Sequence, residues 1–498
     1  MGASIPSRPG NTTASARRGL PYKKILFFCF ILTLPIVNPT VHGDGVGYYA
    51  YARAILIQHN LRFEEDWRHA NRFFSASRVD ENERLRPEEY TPTGYVDNHF
   101  TVGPAILWSP FLILAQLAVL ITHAFGGHVS ADGFSPPYVV AMAFGTAFYG
   151  FLGLLLSFSL AKKYVRDRWA FLATMGIWLA SSLPVYMYFN PAWSHAHSAF
   201  TVALFLWYWD RTRGPRSAGQ YVALGLIAGL MIDVYFPNGV FLLLPLVEAL
   251  LEHRTFWKTQ RWDLQKKLIL SETLFVISAV VALLPTLITR LIVYGGVFKI
   301  GSYSAQAWIW SAPHWWQVFF SSDHGALTWT PILALSLIGL FMAPRNARAI
   351  ALHLGMGAVA FYYVIACYPF WDGMASFGNR FLISLTPVFV FGLALLFERC
   401  GRYFHDEARA FVAAGGLVIL LSLWNAGFIF QWGEHLVPVR GEISFREMIH
   451  NQFFVVPREL GSHMRAYLFK RKEEMRKIED RDIQQMQNAG PPSEGRPP

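Results

Sequence analysis

Directly after the first apolar run of the chain, one aspartate stands among glycines in Gly43-Asp44-Gly45-Val46-Gly47-Tyr48-Tyr49. A carboxylate at an apolar boundary is suited to take a proton from a hydroxyl, because burial disfavours its charged form. The same residue could instead cap the helix that follows. Arg53 and the acidic run Glu64-Glu65-Asp66 lie in the same polar stretch. Far along the chain stand His324, in Ser321-Ser322-Asp323-His324-Gly325, and Arg380, which closes Trp371-Asp372-Gly373-Met374-Ala375-Ser376-Phe377-Gly378-Asn379-Arg380. Arginine presents a planar fork of donors that matches phosphate or carboxylate. Arg380 therefore suits an anionic ligand, or an ion pair with Asp372, and His324 suits a ligand contact or a satisfied loop position. A base and a cationic fork together describe proton abstraction beside a bound anion.

These groups are spaced by long apolar runs. Of 498 residues, 53% are hydrophobic and 15% charged, against about 25% charged in soluble chains. Runs at 25–41, 137–161, 169–189, 196–210, 217–234, 236–251, 268–290, 325–342, 348–367, 381–397 and 410–431 approach the ~20 residues that span a bilayer. The net charge of +10 sits between these runs. It forms no separate basic face with interleaved aromatics, which excludes a nucleic-acid binder. Cys29, Cys367 and Cys400 show no metal or redox spacing. His195 and His197 are two apart, so they do not share a helix face and make no metal pair. No phosphate-binding glycine loop, dinucleotide fingerprint, HExxH or GxSxG motif occurs in a suitable context. Tyr48, Tyr51, Trp308, Trp310, Trp315, Trp316, Trp329 and Trp371 suit either a sugar platform or the aromatic belt of a membrane protein.

Five basic clusters fix the sidedness: Lys162–Arg168, Arg211–Arg216, His253–Lys267, Arg345–Arg348 and Arg399–Arg402. All five are cytoplasmic only if an even number of crossings separates Gly43 from Tyr138. The apolar stretch 101–126 must then lie at the interface or re-enter, with Pro104 and Pro110 interrupting it. The resulting expectation is an all-α polytopic membrane protein with about eleven crossings, N-in and C-out. Residues 1–24 form a disordered cytoplasmic terminus and 25–431 the membrane domain. The first external loop spans 42–136, with Tyr48 to Leu61 an amphipathic interfacial helix. Residues 432–498 form a tail, helical near 463–487 and then disordered. Lys470-Arg471-Lys472 in this tail argues for the inside, but long tails translocate largely regardless of charge. Asp233, at the outer end of a run, is a functional candidate or an interface residue.

The glycine-flanked Asp44 after the first crossing resembles the membrane glycosyltransferases of the GT-C superfold that use polyprenyl-phosphate sugars. The protein mannosyltransferase and lipid A aminoarabinose transferase branch is the nearest in pattern. Asn190-Pro191-Ala192-Trp193-Ser194-His195-Ala196, Phe320 to Pro331 and Trp371 to Arg380 resemble motifs of bacterial members. The resemblance covers most of residues 20–450. It implies an enzyme of the bacterial plasma membrane with its site on the extracytoplasmic face, and a catalytic Asp44. Its partners are a polyprenyl-phosphate sugar donor and a glycan, lipid or protein acceptor. Tyr48, Arg53, Glu65, Asp66, His324 and Arg380 are then the substrate-binding candidates, with Arg380 and His324 near the lipid phosphate. The second external loop carries histidines where the family commonly shows an acidic residue, so no metal ligand is borrowed, and a divalent cation stays allowed but not indicated. A lipid phosphate leaves readily, so the site needs a base and cations more than a strong acid. The alternative is a transporter or flippase of a lipid-linked saccharide.

Overall fold

The computed structural model describes residues 21–70, 78–80, 82, 84–299, 308–404 and 406–488. The expectations for the chain's two ends fall outside these residues, except for Pro21 to Lys24 and the tail as far as residue 488. Among the described residues the protein is helical, with two isolated bridges and no strand. Each apolar run carries helix: α1 (Tyr22–Thr33), α4 (Pro136–Ala161), α5 (Asp167–Leu179), α6 (His195–Arg211), α7 (Ala218–Val234), α8 (Leu243–Lys258), α9 (Trp262–Tyr294), α10 (Ile332–Phe341), α11 (Arg348–Ala366), α12 (Thr386–Tyr403) and α13 (Glu407–Gly433). Between α1 and α4 stand α2 (Gly45–Arg53) and α3 (Gly103–Ala124), and the tail forms α14 (Val456–Phe469) and α15 (Arg471–Asn488). Six described helices are long and apolar enough to cross a membrane. The chain is a polytopic membrane protein.

The span Arg380–Tyr403, which includes α12, is buried throughout its apolar window, whereas the window of α13 is 22% buried. The outward faces of α3, α9 and α13 carry exposed Leu114, Ile121, Leu270, Val281, Leu420 and Leu423. A helix buried on all sides forms the centre of a bundle, and one with an apolar exposed face meets lipid. Close packing uses small residues, as is usual between membrane helices. A methyl group at Gly229 of α7 would stand 2.3 Å from the Ala279 carbonyl oxygen of α9.

Several ion pairs gather at one end of the bundle. Lys163 Nζ pairs with Asp210 at 2.7 Å, Arg166 and Arg402 meet Glu398 at 3.1 and 2.9 Å, and Arg216 meets Glu248 at 2.8 Å. Tyr22, at the start of α1, packs on Phe171 of α5 with ring centroids 4.9 Å apart. The first residues of α1 therefore share this basic end with the clusters around Lys163, Arg216 and Arg402. Asp44, Trp193 and Arg380 lie at the other.

Two expectations are corrected here. Pro104 and Pro110 do not interrupt 101–126: α3 is a continuous 22-residue helix, with Pro104 in its first turn and Pro110 inside it. In the first turn the missing N–H has no intrahelical partner to lose. The helix stands antiparallel to the outer half of α4: Trp108 Nε1 donates to Thr146 Oγ1 at 2.8 Å, and Tyr138 at the start of α4 donates to Gln116. It starts beside Asp233 and Val234 at the end of α7 and rises away from the basic end. By length and composition it is among the six helices able to cross a membrane. The second correction concerns α2, which is not an interfacial amphipathic helix, because every residue from Gly45 to Arg53 is buried. Its tyrosines can be buried because Tyr49 donates to Gly133 O at 2.7 Å and Tyr51 to Asn98 O at 2.8 Å.

The tail packs on the site's side. Tyr467 donates to Ile36 O at 2.9 Å, Arg471 to the carbonyls of Pro35 and Val37, and His435 Nε2 lies 2.6 Å from Asp482. The basic Lys470-Arg471-Lys472 run is thus satisfied partly by backbone carbonyls of the segment that leads to Asp44.

Candidate active site

Asp44 sits at the N-terminus of α2, yet its side chain makes no capping bond to that helix. Its carboxylate lies 2.7 Å from Arg380 Nη1 instead. The turn that aims it depends on glycine. Gly43 has φ +54°, and a methyl group there would fall 2.9 Å from the Trp193 ring, while one at Gly45 would fall 2.4 Å from Ala192 Cβ. Trp193 fixes this turn from behind by donating its indole N–H to His42 O at 2.9 Å. The same ring lies under the Arg380 guanidinium, 4.3 Å from its centroid, an attractive cation–π arrangement. His42 contacts Asn190 Oδ1 at 3.0 Å, which ties the turn to the loop that carries Trp193.

Arg380 begins the buried 3₁₀ turn Arg380–Leu385 that leads into α12. Its Nε, buried, has no hydrogen-bond partner among the described residues. One guanidinium therefore holds Asp44 and keeps a donor for a further acceptor. Both residues line a cavity of ≈ 2950 Å³ with Trp193, Asp323, Trp371 and Asp372. Ligand pockets for small molecules are typically ~300–1,000 Å³, so this space admits a much larger molecule. The Asp44 carboxylate is 36% exposed and the Arg380 side chain 7%, so the carboxylate is the partner that meets the cavity's contents.

The other sequence candidates are placed differently. Arg53 binds Asp66 bidentately at 2.7 and 2.8 Å and reaches Glu65 at 3.1 Å, with Phe134 stacked on its guanidinium at 4.2 Å. None of Arg53, Glu65 and Asp66 lines the cavity; they hold the loop together. Tyr48 is buried and accepts a bond from Ser194 Oγ at 3.0 Å. His324 is fully buried, with φ +59°, close to Trp329 at 4.7 Å between ring centroids. Burial, with the Arg380 charge adding to it, pushes its imidazole down to about 3. His195 is boxed by Tyr186, Trp193, Tyr235 and Phe381, and His197 packs edge-on to Trp108. Neither joins a possible metal cluster among the described residues. Asp233 is fully buried at the end of α7 within electrostatic reach of Arg290, rather than at a solvated interface. Of the candidate aromatics Trp371 lines the cavity, whereas Trp329 stacks on Phe428 in the core.

Sequence reasoning passed over Trp193, Asp323 and the tail. Trp193 lies inside a quoted motif, but nothing in its spacing says that it supports both Asp44 and Arg380. The tail's Tyr467, Arg471 and Met475 line the cavity; the sequence showed a helix near 463–487 and the basic run around Arg471, but not their place at the site.

No family model and no curated protein matches the sequence. Among solved structures, the chain is similar to ArnT from Cupriavidus metallidurans bound to undecaprenyl phosphate, at 15% identity and TM-score 0.43, covering 82% of this chain and 70% of that one. It is also similar to the archaeal oligosaccharyltransferase AglB from Archaeoglobus fulgidus in complex with an inhibitory peptide and a dolichol-phosphate, at 14% identity and TM-score 0.46, over 85% of this chain. The apo form of the Archaeoglobus fulgidus oligosaccharyltransferase gives 14% and 0.46 over 83% of this chain. The chain spans 56% of the length of both archaeal structures. These likenesses are distant, and the functional reading rests on the site's own geometry.

Proposed function

We propose that the protein is a glycosyltransferase that moves a sugar from a polyprenyl-phosphate donor to an acceptor hydroxyl on the extracytoplasmic face. The observation that carries this reading is the Asp44–Arg380 pair at 2.7 Å, open to a cavity of ≈ 2950 Å³. In the proposed step the acceptor O–H gives its proton to the Asp44 carboxylate, and its oxygen attacks C1 of the sugar. The bond from C1 to the phosphate oxygen breaks, and the lipid phosphate leaves with the added negative charge. Arg380 stabilises that charge through its free Nε while Nη1 keeps Asp44 in place. A single displacement of this kind inverts C1. The cavity's apolar wall, which includes Leu179, Phe189 and Ile429, suits a prenyl chain.

The topology belongs to the same proposal. The chain crosses the membrane eleven times over 25–431, N-in and C-out, with the gathered basic end cytoplasmic and the tail from 432 outside. The membrane is the plasma membrane of a bacterium. The test is transfer of a labelled sugar from a polyprenyl-phosphate donor by purified protein. Asp44→Asn should abolish transfer while leaving the protein in the membrane at normal amount. Full transfer by that variant sinks the assignment.

A further inference from the structure

The tail carries an apolar face that neither the core nor the cavity covers. The helical turns Phe445–His450 and Asn451–Val455 run on into α14 with helical backbone at both junctions. Phe445, Ile449 and Phe453 recur every four residues, so they share one side of the helix. All three are exposed, Phe453 by 62%, and so is Phe454 beside them. Glu447 stands on the opposite side and lines the cavity with Leu460, Met464 and Tyr467. One segment therefore has a wall side and an uncovered side.

What lies against the uncovered side follows from where the segment meets α13. Glu407, the first residue of α13, pairs with Arg166 and Arg168 at the basic end. No charged residue follows Arg409 before Glu434. At about 1.5 Å per residue, Trp424 stands about 22 Å and Gly427 about 27 Å along the helix from Arg409, and any tilt shortens both depths. A hydrocarbon core is about 30 Å thick, so both residues lie within it.

The tail touches α13 at this level. Gln452 Nε2 donates to Trp424 O at 3.0 Å, and the rings of Phe453 and Trp424 have centroids 6.3 Å apart. A methyl group at Gly427 would stand 2.4 Å from Gln452 Nε2, so glycine there admits the contact. A polar group at such depth has to find its partners inside the protein. The Gln452 amide does, because its Oε1 also accepts from Gln431 Nε2 at 2.6 Å. Exposed Leu420 and Leu423 stand on the turn of α13 before Trp424. The apolar face of the tail is thus continuous with the face of α13 that meets lipid.

We propose that residues 445–469 form an in-plane membrane segment, with Phe445, Ile449 and Phe453 among the acyl chains of the leaflet on the site's side. The membrane domain then runs on past residue 431, and lipid backs the wall that Leu460, Met464 and Tyr467 present to the cavity. Segments of this kind bind through buried apolar area and keep their charges at headgroup level; Arg458 and Arg465, seven residues apart and both exposed, supply such charges. This contact is independent of any reaction at Asp44.

The experiment uses full-length protein, with Cys29, Cys367 and Cys400 replaced by alanine, in nanodiscs of phosphatidylethanolamine and phosphatidylglycerol. Nitroxides are attached at Ile449→Cys and Phe453→Cys, with Leu420→Cys as the lipid reference and Arg465→Cys as the polar one. Power-saturation paramagnetic resonance then compares collisions with molecular oxygen, which concentrates in lipid, and with a nickel chelate, which stays in water. Oxygen should dominate at 449 and 453 as at 420, and the order should reverse at 465. Helix content by circular dichroism should match in all four variants. Nickel-dominated collisions at 449 and 453 overturn the proposal. Exclusion of both agents there overturns it as well, and spin–spin broadening would then identify a second copy of the chain as the cover.

Discussion

Two arginine–carboxylate pairs stand at opposite ends of α2, one through Asp44 and the other through Arg53 nine residues on, and they differ in how they are closed. Arg53 and Asp66 share two bonds, at 2.7 and 2.8 Å, and both side chains are 2% exposed. Asp44 and Arg380 share one contact at 2.7 Å, and the carboxylate is 36% exposed. In the first pair every strong partner is used inside the protein, so the pair contributes structure. In the second, one carboxylate edge and one guanidinium N–H remain for a ligand, so the pair has capacity for chemistry. Charge type is shared; what separates them is the exposure of the carboxylate and the count of unmade bonds.

This contrast can be broken by exchanging the two kinds of damage. Asp44→Asn should lower sugar transfer by about 10²–10⁴-fold, the usual contribution of a general base, with an unchanged thermal melt. Asp66→Ala should do the reverse, costing about 3–5 kcal/mol of stability by leaving Arg53 buried without its partner, as read by melting or detergent-induced unfolding. Equal stability loss in the two variants would erase the distinction. Arg380→Lys sharpens it, because lysine keeps the charge but not the fork. Transfer should fall about a hundredfold, the scale of one lost oxyanion donor, with little change in melting.

A smaller effect follows from two histidines beside the open pair. Burial holds His99 down to about 4, against the raising influence of Asp97 and Asp44 and with Arg78 and Arg290 adding to the lowering. Burial likewise lowers His42. Below about pH 6.5 the unfolded histidine takes up a proton that the folded one does not. Stability is therefore complete above pH 6.5 and declines as pH falls toward 4. Melting temperatures between pH 7.5 and 5 measure this, and His99→Gln should flatten the decline. The smallest expected change is Trp193→Phe, which keeps a ring under Arg380 but loses the bond to His42 O, worth about 1 kcal/mol. Transfer should fall by less than about tenfold. A larger loss would mean that the indole N–H, rather than the ring, sets the Asp44 turn.

Much of the helical framework was legible because a bilayer demands long apolar runs, and each run proved to carry helix. Asp44 stood out through its glycines and its place after the first run. Arg380 stood out as a lone cation at a run's end. Their pairing joins residues far apart in sequence, and no local pattern reports it. Asp66, offered as a substrate-binding candidate, is 3% exposed and paired with Arg53, while its neighbour Glu65 faces outward. Composition cannot tell which of three adjacent acids turns inward. The burial of α2 was hidden similarly, because tyrosine suits both an interface and a core that accepts its hydroxyl.

The grip of Arg471 on the carbonyls of Pro35 and Val37 has a consequence in time. A ribosome adds about 5–20 residues per second, so tens of seconds pass between making the segment before Asp44 and making the arginine that clasps it. Through that interval the segment before Asp44 lacks this clasp. The corner around Asp44 takes its finished form only when nearly the last described helix has been made.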